Sequence, residues 1–277
     1  MAHRAHVASC RNERKLPAMK NLFSLEGRTA LVTGGSRGIG RMIAAGFIAQ
    51  GAKVYISSRK PEACEAAAKE LSKGGGTCVP LAIDISEVSG VRSLAAALGS
   101  QEKKLDILVN NAGAAWLEAF DTFPEKGWDK VMDLNVKSPF FLTQALHGLL
   151  KASATADKPA KVINITSIDG VAVTPQETYS YGASKAALIH LTKRMALKLI
   201  EDNIVVSSLA PGAFASDMNV MARDDGERVA QSVPARRIGR DEDIAGAAIY
   251  LASRAGDYVV GQTLVVDGGV SITRVLA

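Results

Sequence analysis

Cysteine is scarce in this 277-residue chain: Cys10, Cys64 and Cys78 are the only three. An odd, widely spaced set supplies neither a disulfide framework nor metal-ligand spacing. Reduced thiols fit a cytoplasmic protein. His3 and His6 precede Cys10, but the segment has the composition of a loose polar tail, and no metal is expected there. Long apolar runs are also missing, and none approaches the roughly 18 residues that a membrane span needs. Acidic residues are rare at the start of the chain. Residues 1–20 hold Arg4, Arg11, Arg14, Lys15 and Lys20 against Glu13, so nearly all of the net charge of +5 sits there. The body is close to neutral, whereas a nucleic-acid binder carries its basic patch on the folded domain. Neither nucleic acid nor a membrane is therefore an expected partner.

Residues 1–22 lack the apolar stretch of a secretory signal. Being Arg-rich and acid-poor, they are compatible with organelle import. The simpler expectation is a flexible basic extension, with Met19 just ahead of the regular pattern. What is present beyond it is an ordinary soluble balance, 47% hydrophobic and 22% charged residues. No internal repeat and no linker interrupts residues 23–277, which are expected to form a single domain.

That body alternates. Ala30–Thr33 is a short apolar β run, Thr33–Gly40 a glycine-rich turn, Arg41–Gln50 a helical pattern stopped by Gly51, and Lys53–Ser57 a second strand. Strand, glycine turn, helix, strand is the arrangement that binds dinucleotides. The glycines let the backbone approach a pyrophosphate, and the helix N-terminus offers free N–H groups to that anion. Further strands are expected at 78–83, 105–109, 161–165, 204–209 and 263–266. Helices are expected at 62–71, 91–98, 128–150 (bent at Pro139), 181–201 and 241–253. Several strands are continuously apolar, as in a parallel sheet covered on both faces. The expected fold is α/β: a doubly wound parallel sheet of about seven strands, Rossmann-like, with helices on both faces.

Tyr181 and Lys185 lie four residues apart in Y-G-A-S-K, on one face of the 181–201 helix. A phenol needs its pKa lowered before it exchanges protons at neutral pH, and a neighbouring ammonium is expected to lower it. Such pairs are common on solvated helix faces, so the rest of the chain must decide. Its motifs are T-G-G-S-R-G-I-G at 33–40, N-N-A-G at 110–113, Asn135, Ser167, Y-G-A-S-K at 181–185, P-G at 211–212 and V-D-G-G at 266–269. In that order and over residues 23–269, the chain resembles the short-chain dehydrogenase/reductase family. Within the family it looks most like NADPH-dependent 3-oxoacyl reductases, including the rhamnolipid-biosynthesis type.

The resemblance implies a nicotinamide cofactor and a catalytic set of Asn135, Ser167, Tyr181 and Lys185. Tyr181 would donate the proton in reduction. Lys185 would tune it and hold the nicotinamide ribose, Ser167 would hydrogen-bond the carbonyl oxygen, and Asn135 would support a water relay. Tyr179 is a rival acid, but its i+4 neighbour is Ala183. Ser167 stands one residue further from the tyrosine than in many members, with Thr166 as the alternative. Around the cofactor the expectation covers Gly34, Ser36, Arg37, Gly38, Ile39 and Gly40 of the turn. It adds Ser58 and Arg59 after the second strand, Asp84 at the adenine, Asn111 at the adjoining ribose or the backbone turn, and Gly113. It also adds Tyr181, Lys185, Pro211, Gly212, Phe214 and Ser216. NAD specificity usually shows as a carboxylate at the end of the second strand. Ser57-Ser58-Arg59-Lys60 has none, so Arg37 and Arg59 are expected to grip a 2′-phosphate as forks, which selects NADPH/NADP+.

Residues 213–233 occupy the position of a mobile lid, where Phe214, Met218, Val220 and Met221 are candidate pocket residues. The expected function is NADPH-dependent reduction of a small-molecule carbonyl, favouring a 3-oxoacyl thioester. The alternatives are an NADP(H) sugar or polyol dehydrogenase of the gluconate 5-dehydrogenase kind, and a non-catalytic NADP(H)-binding regulator. By analogy with the family, a homotetramer or dimer is expected, with the helices at 128–150 and 181–201 as interface elements.

Overall fold

The computed structural model describes residues 19–273, so the expectations for the first 18 residues, including His3, His6 and Cys10, lie outside the described residues. Seven strands form one sheet: β1 (Thr29–Thr33), β2 (Lys53–Ser57), β3 (Thr77–Leu81), β4 (Ile107–Asn110), β5 (Ala160–Ile165), β6 (Ile204–Pro211) and β7 (Thr263–Val266). Their spatial order is β3-β2-β1-β4-β5-β6-β7, and every neighbouring pair is parallel. The helices are α1 (Gly38–Ala49), α2 (Pro61–Leu71), α3 (Val88–Gln101), α4 (Glu125–Met132), α5 (Ser138–Ala145), α6 (His147–Ser153), α7 (Tyr179–Leu199), α8 (Val220–Asp224), α9 (Gly226–Ser232) and α10 (Asp241–Ala252).

The continuous apolar runs have the predicted cause. Every residue of β1, β4, β5 and β6 is buried, while β3 and β7 at the sheet edges are only partly covered. Successive side chains alternate between two cores. Ala30, Val32, Ile107, Val109, Ile163 and Ile165 face Ile43 and Phe47 of α1 and Ile244, Ala248 and Leu251 of α10. Leu31, Leu108, Ala160 and Val162 face Leu94 and Leu98 of α3, Leu142 of α5, Leu150 of α6 and Met195 of α7.

Two expectations about helices change. The stretch expected as one helix from 128 to 150 is broken three ways. α4 passes into a π-helical turn at Asp133–Lys137, α5 follows, and α6 starts again after Leu146. The irregular turn therefore lies just before Pro139, which sits in the first turn of α5, where its missing N–H costs least. Proline cannot donate to the carbonyl four residues back, which is that of Asn135, and the wider π turn accommodates this break. The lid, for which the sequence signalled no elements, contains α8 and α9, each begun by a side-chain cap. Asn219 accepts from Ala222 N at 3.1 Å, and Asp225 accepts from Arg228 N at 3.3 Å.

The strand order reverses between β1 and β4, so the crevice beyond their carboxyl ends is the natural place for a ligand. The opposite edge is closed by ions. Asp106 accepts from Thr29 N at 3.0 Å and pairs with Arg28 at 3.6 Å and Lys158 at 3.4 Å, while buried Lys161 meets Asp257 at 2.6 Å. These groups fasten the amino ends of β1, β4 and β5, away from the crevice.

Candidate active site

The crevice is assembled from three strand ends. Thr33 closes β1, and its Oγ1 donates to Val109 O at 3.3 Å while accepting from Asn111 N at 2.9 Å and Ala112 N at 3.0 Å. Asn111 answers with its amide, donating to Thr33 O at 2.8 Å and Gly34 O at 3.3 Å. Of the two roles expected for Asn111, the backbone turn is the one its side chain fills. The glycine turn then enters α1 with Gly38 at φ +52°. A Cβ on Gly40 would stand 2.4 Å from Asn111 Nδ2 and 2.5 Å from Gly34 O, so only glycine fits this cradle.

Among the described residues no side chain caps α1, and no acid lies in its first turn. Its free N–H groups and dipole are left for an anion, which fits the pyrophosphate of a dinucleotide. Gly34, Ser36, Gly38, Ile39 and Gly40 all lie on this turn and first helical turn. At the far end of the crevice, Asp84 is exposed just beyond β3, with Oδ1 accepting from Ser86 N at 2.9 Å. Ser58 and exposed Arg59 follow β2, and Arg59 has no ion-pair partner among the described residues.

Arg37 departs from the expectation that it turns toward the same corner as Arg59. It is paired with Asp217 of the lid, and Arg223 of α8 holds the other oxygen of that carboxylate at 2.8 Å. Ser216 lies against the glycine turn, where a Cβ on Gly38 would come within 3.2 Å of it. The lid thus rests on the turn through an ion pair that composition could not reveal. Phe214 is a second correction. Expected beside the cofactor and the pocket, it is 2% exposed, and its ring covers Gly239, whose added Cβ would meet it at 2.3 Å. An aromatic ring gains more by complete burial in the core than by lining an open crevice. Met218, Val220 and Met221 remain about half exposed. Pro211 ends β6, and Gly212 N donates to Val266 O at 3.0 Å, joining the P-G and V-D-G-G motifs.

Tyr181 and Lys185 sit in the first two turns of α7, with Lys185 Nζ 5.5 Å from the Tyr181 ring centroid. Nζ donates to Ile165 O at 2.8 Å, which ties the lysine to the end of β5. Ser167, two residues on, lies beside the Tyr181 hydroxyl, close enough to favour the phenolate. Thr166 is turned away and donates to Leu209 O at 2.7 Å, so the serine, not its neighbour, lies beside the phenol. Tyr179 is exposed, bonded to Glu177 at 3.1 Å and stacked edge-on against Phe120 and Phe123.

Asn135 is fully buried in the π turn. Its Oδ1 accepts from Ala114 N at 2.8 Å, and its Nδ2 donates to Ala114 O and to Ser184 Oγ, both at 2.9 Å. A Cβ on Gly113 would lie 3.2 Å from Asn135 Oδ1 and 3.7 Å from Lys185 Nζ, so these groups share one small space. The amide is fully engaged in structure; the group of Asn135 that Pro139 leaves without a helical donor is its carbonyl.

The electrostatics correct one expectation. Lys185 was expected to pull the phenol down, but burial dominates both groups, because desolvation disfavours each charged form. Burial pushes Tyr181 up to about 12, against the influence of the Ser167 hydroxyl, and brings Lys185 down to about 8, against the charge of Asp169. No motif singles out Asp169; its only sequence signal is an acid two residues after the serine.

A family model described as enoyl-(acyl carrier protein) reductase matches residues 34–271. The chain is 46% identical over 254 residues to the rhamnolipids biosynthesis 3-oxoacyl-[acyl-carrier-protein] reductase of Pseudomonas aeruginosa, covering 91% of this chain and 99% of the relative. It is 35% identical over 258 residues to the gluconate 5-dehydrogenase of Gluconobacter oxydans, covering 91% and 98%. The solved Pseudomonas aeruginosa RhlG/NADP active-site complex superposes with a TM-score of 0.88 at 47% identity, covering 91% of this chain and all of that one. A gluconate 5-dehydrogenase from Burkholderia cenocepacia in complex with NADP and tartrate gives 0.84 at 33% identity, covering 92% and 99%.

Proposed function

The chain belongs to the short-chain dehydrogenase/reductase family, and on that premise we propose that it reduces the 3-oxo group of an acyl thioester to an alcohol with NADPH. The observation that carries this reading is the junction of Ser167, Tyr181 and Lys185 at the carboxyl ends of the strands. There the serine lies beside the phenol and the ammonium faces the phenol ring. The cofactor, when bound, supplies the hydride that goes to the carbonyl carbon.

The remaining work falls to the chain. Ser167 and Tyr181 hold the carbonyl oxygen by hydrogen bonds, and as negative charge develops there Tyr181 passes it the phenolic proton. A phenol kept up near 12 is fully protonated at neutral pH and ready to donate. The Lys185 ammonium, aimed at the ring, stabilises the phenolate left behind and holds the ribose. The Asn135 carbonyl is the acceptor through which a water can return the proton. Arg59 and the N-terminus of α1 receive the 2′-phosphate and the pyrophosphate.

A thioester is favoured over a sugar acid by the lid. Arg223 is neutralised by Asp217 and Asp224, and Arg228 by Asp225, while Met218, Val220 and Met221 offer apolar surface. Residues 23–277 act as one domain in the cytoplasm, and the exposed Trp128, Phe140 and Leu197 of α4, α5 and α7 suit a homotetramer or dimer. No helix among the described residues is long and apolar enough to cross a membrane. The test is turnover of acetoacetyl thioester beside keto-gluconate, each with NADPH and with NADH. Thioester reduction with NADPH is expected. Preference for the sugar acid would replace the substrate, and tight NADPH binding without any turnover would favour the regulator.

A further inference from the structure

Lys185 is 4% exposed, an ammonium taken out of water. A buried charge of this kind needs an opposite charge nearby or it loses its proton. The hydroxyl and phenol around it are neutral, and its one hydrogen-bonded partner, Ile165 O, is neutral too. A carboxylate in Coulombic range of it, though farther off than a 4 Å ion pair, comes from the turn after β5. Ser167 Oγ accepts from Asp169 N at 3.2 Å and starts a single 3-10 turn, Ile168–Gly170. That turn is pressed onto α7 at the lysine itself. A Cβ on Gly170 would stand 2.6 Å from the Lys185 carbonyl carbon and 2.8 Å from Ala186 N, and one on Gly182 would stand 3.4 Å from Asp169 O. So close an approach leaves Asp169 no freedom to drift along the helix. The Thr174 hydroxyl lies beside the Asp169 carboxylate and favours its charged form.

We propose that Asp169 is the counter-ion of Lys185: a positioning residue that keeps the buried ammonium charged and aimed at the Tyr181 ring. α7 brings Tyr181 and Lys185 to the turn, and β6, which also packs on it, carries no titratable residue. Among the described residues Asp169 thus acts, through its charge, on one cation and one phenol. Its negative charge raises the pKa of both, holding the proton on the lysine and on the phenol alike. Asp169 itself is pushed up by burial, against the Thr174 hydroxyl and the Lys185 charge. The serine that holds the substrate carbonyl and the acid that holds the lysine's charge are therefore two ends of one turn.

The catalytic side of this inference rests on the carbonyl-reductase reading, so the test reads Lys185 directly as well. Full-length chain carrying [ε-13C]lysine is titrated by NMR without cofactor, with the Lys185 signal assigned by Lys185→Arg. Wild type is expected to titrate at about 8. Asp169→Asn is expected about one pH unit lower or more, Asp169→Glu close to wild type, and Thr174→Val lower by a smaller step. In the NADPH-loaded chain the basic limb of kcat/KM for acetoacetyl thioester is expected to move with it. An unmoved Lys185 titration in Asp169→Asn overturns the proposal. Should that variant not fold, an unmoved Thr174→Val does so. A moved titration in a chain that reduces no carbonyl upholds the counter-ion and removes the reductase reading instead.

Discussion

Replacing Asn135 by alanine separates a structural amide from a catalytic one. The side chain is fully buried and makes three hydrogen bonds of 2.8–2.9 Å, two to Ala114 and one to Ser184, whose hydroxyl in turn donates to Tyr181 O at 2.7 Å. Truncation leaves Ala114 N–H and C=O without partners and opens a small cavity. Each buried polar group left unmet costs about 1–3 kcal/mol. Ala114 is partly exposed, so water can recover one of its bonds, and Ser184 keeps its bond to Tyr181. The expected net loss is about 2–4 kcal/mol, or roughly 3–7 °C in Tm for a chain of this size. The assay is a thermal melt by circular dichroism at neutral pH, with kcat/KM measured on the folded variant. Activity is expected to fall as well, because Ala114 follows the glycine that faces Lys185 and Ser184 braces the backbone of Tyr181. A melt within about 2 °C of wild type would refute the reasoning, since a fully engaged buried amide cannot be removed so cheaply.

Other substitutions probe the remaining parts. Tyr181→Phe removes the proposed proton donor, and kcat/KM is expected to fall about 10²–10⁴-fold while NADPH affinity drops by no more than about tenfold; retained turnover would sink the mechanism. Arg59→Ala is expected to weaken NADPH about 10–100-fold in a fluorescence titration and leave NADH unchanged. Arg37→Ala should weaken it less, because Arg37 must first leave Asp217, an exposed pair worth about 0–1 kcal/mol. Equal losses for NADH would show that neither arginine meets the 2′-phosphate. Asp243 accepts from Arg240 N at 2.8 Å and pairs with Arg237 at 3.0 Å, which hold its carboxyl down at about 2 from an ordinary 3.8. A depressed carboxyl stabilises the fold above its unfolded value and loses that contribution as pH falls through the folded one. Asp243→Asn is thus expected to lower Tm by a few degrees at pH 7, with the gap closing between pH 4 and pH 2. A gap that persists at pH 2 would assign the loss to something other than charge.

Much of the molecule could be read from local pattern. Continuous apolar strands, glycine punctuation and amphipathic spacing are properties of neighbouring residues, and they led to all seven strands and to the unit β1–α1–β2 within a few residues of their observed bounds. The four-residue spacing of Tyr181 and Lys185 is likewise local, because helical periodicity alone puts them on one face. The missing carboxylate after β2 needed no fold beyond a strand end. The bounds of the 128–150 stretch failed because a π turn has no compositional signal. The lid helices are five and seven residues long, too short to show a period.

Tertiary structure decided what depends on partners far along the chain. Asn135 reaches Ala114 across 21 residues and Ser184 across 49, and Arg37 reaches Asp217 across 180. No window of sequence contains such a pair. Burial was decided there too. Phe214 went to the core because Gly239 leaves room for its ring, and Tyr181 and Lys185 moved away from their ordinary pKa values because the fold removed water from both. Desolvation is a sum over everything packed around a group, so the sequence by itself named the candidate pair Tyr181 and Lys185, while its electrostatic state was set only when the turn carrying Asp169 after β5 closed onto α7.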